Sequence, residues 1–295
     1  MADVHTVNGV VMPHFITQEE VDKLKSFPLR SDDVWVVAYP KAGSTWTQQI
    51  VRLIHNDGDD DGKVLSESVP WLEALNHMYP HVKPEQLPSP RIFQSHFMYD
   101  NMPCGPPNTT RCKYIYVVRN PKDLAVSYYY HHRGFKKLHL GGVQWEDFFE
   151  SFASGQAHFG DYFEHVLGWW AHRDDDNVLF LKYEDMKKDL PTAVARIAKF
   201  IGKDLSSAVL DQIVVKTTFD KMKNDPKANH SWTAHRRDPN EAPFMRKGVV
   251  GDWKHLFTEE QSKRIDTLYH SFLVCLLYTS PSPRDATLSR MPSSA

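Results

Sequence analysis

Val34-Trp35-Val36-Val37-Ala38-Tyr39-Pro40-Lys41-Ala42-Gly43-Ser44-Thr45-Trp46 is the stretch whose reading decides the fold. Val34 to Tyr39 is a continuous apolar run, the pattern of a strand covered on both faces. A turn over Pro40–Thr45 follows at once, and Trp46, Ile50, Leu53 and Ile54 then recur at helical spacing. This strand–loop–helix order equips the turn for an anion. Gly43 lets backbone approach a ligand closely, and Ser44 and Thr45 add hydroxyl donors. The new helix contributes free N–H groups and the positive end of its dipole. Lys41 adds a point charge. The loop works like a P-loop without matching GxxxxGK(S/T), because its lysine stands at the start. Local sequence alone leaves a plain strand-to-helix turn as the alternative.

The same alternation continues outward. Ile92 and Phe93 mark a short strand leading to His96, Tyr114–Val118 a third ending at Arg119, and Val178–Leu181 a fourth ending at Lys182-Tyr183-Glu184. Pro121 opens a helix through Tyr128–Tyr130, and Pro191 starts one that runs through Phe200 and stops at Gly202. A last helix spans Thr258–Val274. The pattern predicts one α/β domain, P-loop-like and three-layered, with a central, mostly parallel sheet flanked by helices. Ligands of such a sheet sit beyond the carboxyl ends of its strands. Three of the four strands end in residues suited to a phosphorylated ligand: Lys41, Arg119 and, beside Tyr183, Lys182. Asp225–Val250, polar and rich in Pro, Lys and Arg, reads as a long functional loop.

Composition narrows the class. The 295 residues carry 35 Lys and Arg against 37 Asp and Glu, a formal charge of −2, which argues against a nucleic-acid partner. No apolar run reaches the length of a membrane span, and MADVHTVNGV has no signal core, so no membrane and a cytoplasmic location are expected. Three cysteines, Cys104, Cys112 and Cys275, are too few and scattered for a disulfide framework. The sequons at Asn108 and Asn229 then read as chance matches. Asp57–Gly62 opens like a calcium loop, but its twelfth position is Ser68 where a Glu is needed, so it reads as a solvated acidic loop. His131, His132 and His139 lack the carboxylate or Cys spacing of a zinc site and read as a polar helix end, and no metal is expected.

Several motifs resemble the cytosolic sulfotransferase family, whose co-substrate is 3′-phosphoadenosine 5′-phosphosulfate (PAPS). Tyr39–Trp46 resembles its phosphosulfate loop YPKSGTTW, with Ala42 and Ser44 as mild departures. Arg119-Asn120-Pro121-Lys122-Asp123 with Val126-Ser127-Tyr128-Tyr129 resembles its 3′-phosphate segment. Phe244-Met245-Arg246-Lys247-Gly248 followed by Gly251-Asp252-Trp253-Lys254 resembles its RKGxxGDWK signature. Lys182–Met186 and Thr217-Thr218-Phe219 fall between them in the family's order. The resemblance covers about residues 34–254.

It implies a sulfotransferase moving a sulfuryl group from PAPS to a hydroxyl of a small acceptor, without a metal. Lys41, Ala42, Gly43, Ser44 and Thr45 would hold the phosphosulfate, with Lys41 stabilising charge on the leaving oxygen. Arg119 and Ser127 would hold the 3′-phosphate, and Phe244, Met245, Arg246, Lys247 and Gly248 would close over it. Trp46 and Phe219 would pack on adenine, with Tyr183, Thr217 and Thr218 at its edge. His96 corresponds to the family's catalytic base in K-(S/T)-H-L-P, where Gln94 replaces the lysine and Phe97-Met98 replaces Leu-Pro. The acceptor is left open among phenols, sterols, other lipophilic alcohols and amines, and Trp71–Pro80, Phe135–His139 and Pro226–Pro243 are expected to line its site. Gln94 and Phe97 keep a non-catalytic PAPS-binding module open, and a nucleotide kinase of related fold is the other alternative. The family's dimer motif KxxxTVxxxE is matched at Lys254 and Thr258 but not at Glu259 and Lys263, so a homodimer stays open. From Cys275 the chain reads CLLYTSPSPRDATLSRMPSSA, which resembles a translated sequencing adapter. The expected domain is therefore 1–274, short of its native end, with 275–295 a non-native tail.

Overall fold

Val34–Ala38 is fully buried along its length, as its unbroken apolar run requires. The computed structural model of the chain describes residues 5–103, 112–135 and 143–279, with side chains to Phe272. Six strands occur among them. β1 (Thr6–Val7) and β2 (Val10–Val11) form a small antiparallel ribbon, and β3 (Val34–Ala38), β4 (Ile92–Ser95), β5 (Lys113–Val118) and β6 (Val178–Lys182) form the main sheet. The main sheet has the order β4-β3-β5-β6, and all its pairings are parallel. Helices flank it, giving the expected layered α/β domain.

Register places the chemistry. Val37 lies opposite Ser95 and Tyr116, and Val118 opposite Lys182, so Pro40, His96, Arg119 and Tyr183 all emerge at one edge of the sheet. Helix α1 (Gln18–Lys25) lies in the lead-in, and α2 (Ser44–His55) leaves β3 directly from Gly43. α3 (Pro121–Gly134) leaves β5 with Pro121 at its start, and the Asn120 Oδ1 accepts from the Lys122 N–H at 2.9 Å. On one face of β5, Tyr114 and Tyr116 pack on Trp169 at ring distances of 5.5 and 5.2 Å, the period of two that a strand dictates.

Some boundaries differ from the sequence reading. The second strand runs to Ser95, because it pairs along β3 for its whole length. The final helix, α4 (Glu259–Thr279), continues past Val274 to Thr279. β1, β2 and α1 form a lead-in ahead of the first apolar run, Val34–Tyr39. Their apolar positions are too few for a periodic signal, yet Val7, Met12, Ile16, Val21 and Leu24 are buried. The ribbon is tied to the body where the Phe159 N–H donates to the Val11 carbonyl at 2.8 Å. Thr17 and Glu20 form a capping box at the start of α1. Cys104, Asn108, His139 and the tail beyond Thr279 lie outside the described residues, whereas Cys112 is buried. Among the described residues, no helix is long and apolar enough to cross a membrane.

One ion pair braces the strand starts opposite the ligand edge. Asp33 and Arg91 are both buried, with Arg91 Nε donating to Asp33 at 2.7 Å and Nη2 to the Pro28 carbonyl at 2.8 Å. Removing one partner leaves the other charge buried and unpaired. Arg91→Met should cost about 3–5 kcal/mol in urea unfolding. A loss under ~1 kcal/mol, the range of a surface pair, would show that the pair does not brace the sheet.

Candidate active site

A cavity of about 710 Å³ opens beyond the carboxyl ends of β3, β4, β5 and β6. Its walls include Lys41, Gly43, Ser44, Thr45, Trp46, His96, Arg119, Ser127, Tyr183, Phe219, Phe244, Met245, Arg246, Lys247 and Gly248. The structure therefore gathers most of the residues singled out in the sequence, from segments more than 200 positions apart. Three do not reach the cavity. Ala42 is buried under the loop. Thr217 and Thr218 turn their hydroxyls back onto the Ile213 and Val215 carbonyls of their own helix, at 2.8 and 3.0 Å. Thr217 instead offers its carbonyl to Trp46 Nε1 at 2.7 Å, which fixes the indole beside Tyr183.

The loop after β3 is strained toward the cavity. Lys41 has φ +70°, a left-handed conformation that costs a lysine free energy. Gly43, at φ +122°, has no room for a side chain, since a Cβ there would stand 2.9 Å from Tyr183 Cδ2. Gly248 is similar, with φ +66° and Phe219 Cδ2 2.1 Å from any added Cβ. Backbone thus approaches the cavity closely from both sides.

Charge here is one-sided. Burial, then Arg237, Arg119 and Arg246, pull the Lys41 pKa down to about 7. Its ammonium rests 3.8 Å from the centre of the Phe244 ring and ion-pairs with no carboxylate among the described residues. Arg119 donates to the Lys41 and Val249 carbonyls, each at 3.2 Å, and lies over Tyr183 at 4.4 Å. Its Nε and the Nε of Arg246 are buried without partners. Such unspent donors around a buried cation suit an anionic ligand.

Residues to which motif reading gave no role hold this arrangement. Both oxygens of Asp123 accept from the strap that follows Gly248, from Gly251 N–H at 2.7 Å and Trp253 N–H at 3.1 Å. Asp252 pairs with Arg246 at 2.5 Å and Lys247 at 2.6 Å. His230 stacks on Phe244 at 4.0 Å and meets Thr45 Oγ1 at 3.2 Å, which ties the 225–250 loop to the anion loop. The lead-in brings Pro13, His14 and Phe15 into the cavity wall. No spacing rule marks the roles of Asp123 and His230, because each acts on a segment remote in sequence.

His96 sits in the same cavity, 7% exposed, between Trp71 and Phe159 with ring distances of 5.4 Å to each. Its Nδ1 lies 2.6 Å from the Ala38 carbonyl, which can only accept, so Nδ1 carries the proton and Nε2 keeps a lone pair. Gln94 Nε2 donates to that lone pair at 2.8 Å. Burial holds His96 neutral, its pKa down at about 4, against the opposing bond to Ala38. Behind it, Glu73 accepts from the His96 N–H and from Ser95 Oγ at 3.1 Å. Burial pushes the Glu73 carboxyl up to about 7.

Known proteins are similar to this chain over most of its length. The family model described as Sulfotransferase domain matches residues 31–281. The amine sulfotransferase of Oryctolagus cuniculus is 40% identical over 252 residues, 84% of this chain and 83% of its own length. Sulfotransferase 1C2 of the same species is 41% identical over 255 residues, covering 84% and 85%. Among solved structures, mouse sulfotransferase SULT7A1 complexed with PAP superposes with a TM-score of 0.76 at 30% identity, covering 99% of each chain.

The depressed Lys41 ammonium has a measurable consequence. It is largely neutral at pH 8 in the free protein, and an anion beside it raises its pKa. Binding of 3′,5′-bisphosphoadenosine (PAP) at pH 8 should therefore take up a substantial fraction of a proton, and at pH 6 almost none. Calorimetry in buffers of different ionisation enthalpy reads this directly. Buffer-independent heats at pH 8 would mean that Lys41 is already charged.

Proposed function

Because the chain belongs to the sulfotransferase family, we propose that its cavity binds PAPS and transfers the sulfuryl group to a hydroxyl of a small acceptor, with His96 as the base. The observation that carries this reading is one cavity holding both a cation cluster around Lys41, whose ammonium ion-pairs with no carboxylate among the described residues, and an imidazole with a lone pair at Nε2. PAPS would supply a sulfuryl group joined to a phosphate, a bond already activated for transfer.

Lys41, the Gly43–Thr45 backbone and the α2 N-terminus would take the phosphosulfate end. Arg119, Ser127, Arg246, Lys247 and Gly248 would take the 3′-phosphate, and Trp46, Tyr183 and Phe219 the base. The fit rests on the unpartnered Nε atoms of Arg119 and Arg246 and on the two close backbone approaches at Gly43 and Gly248. Thr217 enters through Trp46 and not through its own hydroxyl. Thr218 has no such link and is dropped from the binding set.

The acceptor's hydroxyl proton passes to His96 Nε2 as the acceptor oxygen takes the sulfuryl group. Ala38 holds the imidazole in the required tautomer throughout. A base with a pKa near 4 is weak, and the negative charge that the bound co-substrate brings strengthens it. Lys41 offsets the charge that builds on the departing phosphate oxygen. The acceptor must also displace the Gln94 amide from Nε2. That one contact favours a second reading, a binding module without turnover.

His96→Ala should lower turnover by ~10³-fold or more while PAP affinity stays within about twofold, compared by transfer assay and calorimetry. Loss of both together would remove His96 from the base role. No transfer by the unaltered protein to any acceptor, with PAP bound tightly, would favour the binding module. Arg119→Ala should weaken PAP by ~10–100-fold more than it weakens adenosine 5′-phosphate. Equal weakening would put the 3′-phosphate elsewhere.

A further inference from the structure

Resting on the transferase reading above, we propose that His131 and His132 select an uncharged acceptor carrying a second oxygen group, and that the pocket turns away ammonium acceptors. Both histidines are on α3 and line the same cavity as His96. Neither ring makes a side-chain hydrogen bond among the described residues. His131 Nδ1 and His132 Nε2 are sealed in the protein without partners, which leaves the other nitrogen of each ring for the cavity. Around them the walls are rings: Phe135 lies 4.8 Å and Phe244 5.6 Å from His131, and Tyr128 lies 4.2 Å from His132.

Both imidazoles are neutral. Burial drives the pKa of each well down, and Lys41 and Arg237 press further on His131 while His158 presses on His132. A neutral ring offers one donor and one acceptor nitrogen. A hydroxyl can answer either one, since it both donates and accepts. An ammonium can only donate, and it would enter a pocket already governed by Lys41 and the arginines around it.

No free carboxylate of the protein compensates for that among the described residues. Asp252 is the only carboxylate among the described residues lining the cavity, and Arg246 and Lys247 already occupy it. Glu73 stands behind His96, bonded to its backbone, and does not line the cavity. Residues 104–111 and 136–142 contain neither Asp nor Glu. An ammonium acceptor would lose its water here with no unpaired carboxylate of the protein to meet it. The 40% identity to an amine sulfotransferase therefore does not carry over to amine acceptors.

Three phenols that differ only in their tails test this: tyrosol, which ends in a hydroxyl, 4-ethylphenol, which ends in a methyl, and tyramine, which ends in an ammonium. Each is measured at pH 7.4 for kcat/KM with PAPS and for binding to the PAP-loaded protein by tryptophan fluorescence, since Trp71 lines the cavity. Tyramine should fall at least ~100-fold below tyrosol in both. His131→Phe and His132→Phe should each lower the tyrosol to 4-ethylphenol ratio by about tenfold, the worth of one hydrogen bond. His131→Gln, which keeps a donor and an acceptor, should hold that ratio within about threefold. Tyramine matching tyrosol, or a ratio unmoved by both Phe variants, overturns the inference. Should the Phe variants fail to fold, the tyramine comparison in the unaltered protein still decides it. The expected binding order without transfer to any phenol upholds the inference and overturns the transferase reading instead.

Discussion

A lysine held out of water beside three arginines, with no carboxylate paired to it among the described residues, is the constraint on which the rest of this site depends. Repulsion among Lys41, Arg119, Arg237 and Arg246 would drive the segments bearing them apart if nothing else held those segments. What holds them is structure remote from the charge. Strand register sets Arg119 one strand from Lys41, and Arg119 donates to the Lys41 carbonyl. Asp123 grips the Gly251–Trp253 backbone, so the strap carrying Arg246 and Lys247 cannot drift. The positive cavity is thus prepared at a cost, and an anion relieves it. This is the preorganisation that makes electrostatic stabilisation effective, because the dipoles and charges need not reorganise when the reaction occurs.

The proton-handling half of the site depends on the same sheet in another way. His96 follows the last residue of β4, and the parallel pairing with β3 puts the Ala38 carbonyl against its Nδ1. One backbone oxygen thereby decides which nitrogen can act as base. Glu73 supports the opposite side through the His96 amide and Ser95, and its own burial keeps it from bringing a full negative charge to the imidazole. Gln94 is the departure with the clearest chemical meaning. A lysine there would be a cation in the acceptor site, whereas the amide is a neutral donor already spent on Nε2.

Much of this was legible in the residues. The apolar run Val34–Tyr39, the turn that follows it, and the alternation of strands and helices are local patterns, and local patterns survive in a one-dimensional reading. So do the anion-loop glycine and the helix start at Pro121, since backbone sterics act over a few positions. The motif residues at Lys41, His96, Arg119 and Arg246–Gly248 could be singled out because each stands at a strand end or in a short signature.

The sequence by itself therefore determined the fold class, the family, and most of the segments that gather at the cavity. It did not determine how those segments meet. Thr217 stands in a motif, yet its hydroxyl is spent on its own helix and its carbonyl serves Trp46. The lead-in was unremarkable as a string, yet the ribbon's bond to Phe159 carries Phe15 into the cavity wall. The tautomer of His96, the neutrality of His131 and His132, and the depressed ammonium of Lys41 were decided by tertiary structure alone. Each of these is a matter of burial and of distances between groups far apart in the chain, and desolvation and Coulomb interaction depend on those distances and not on order in the sequence.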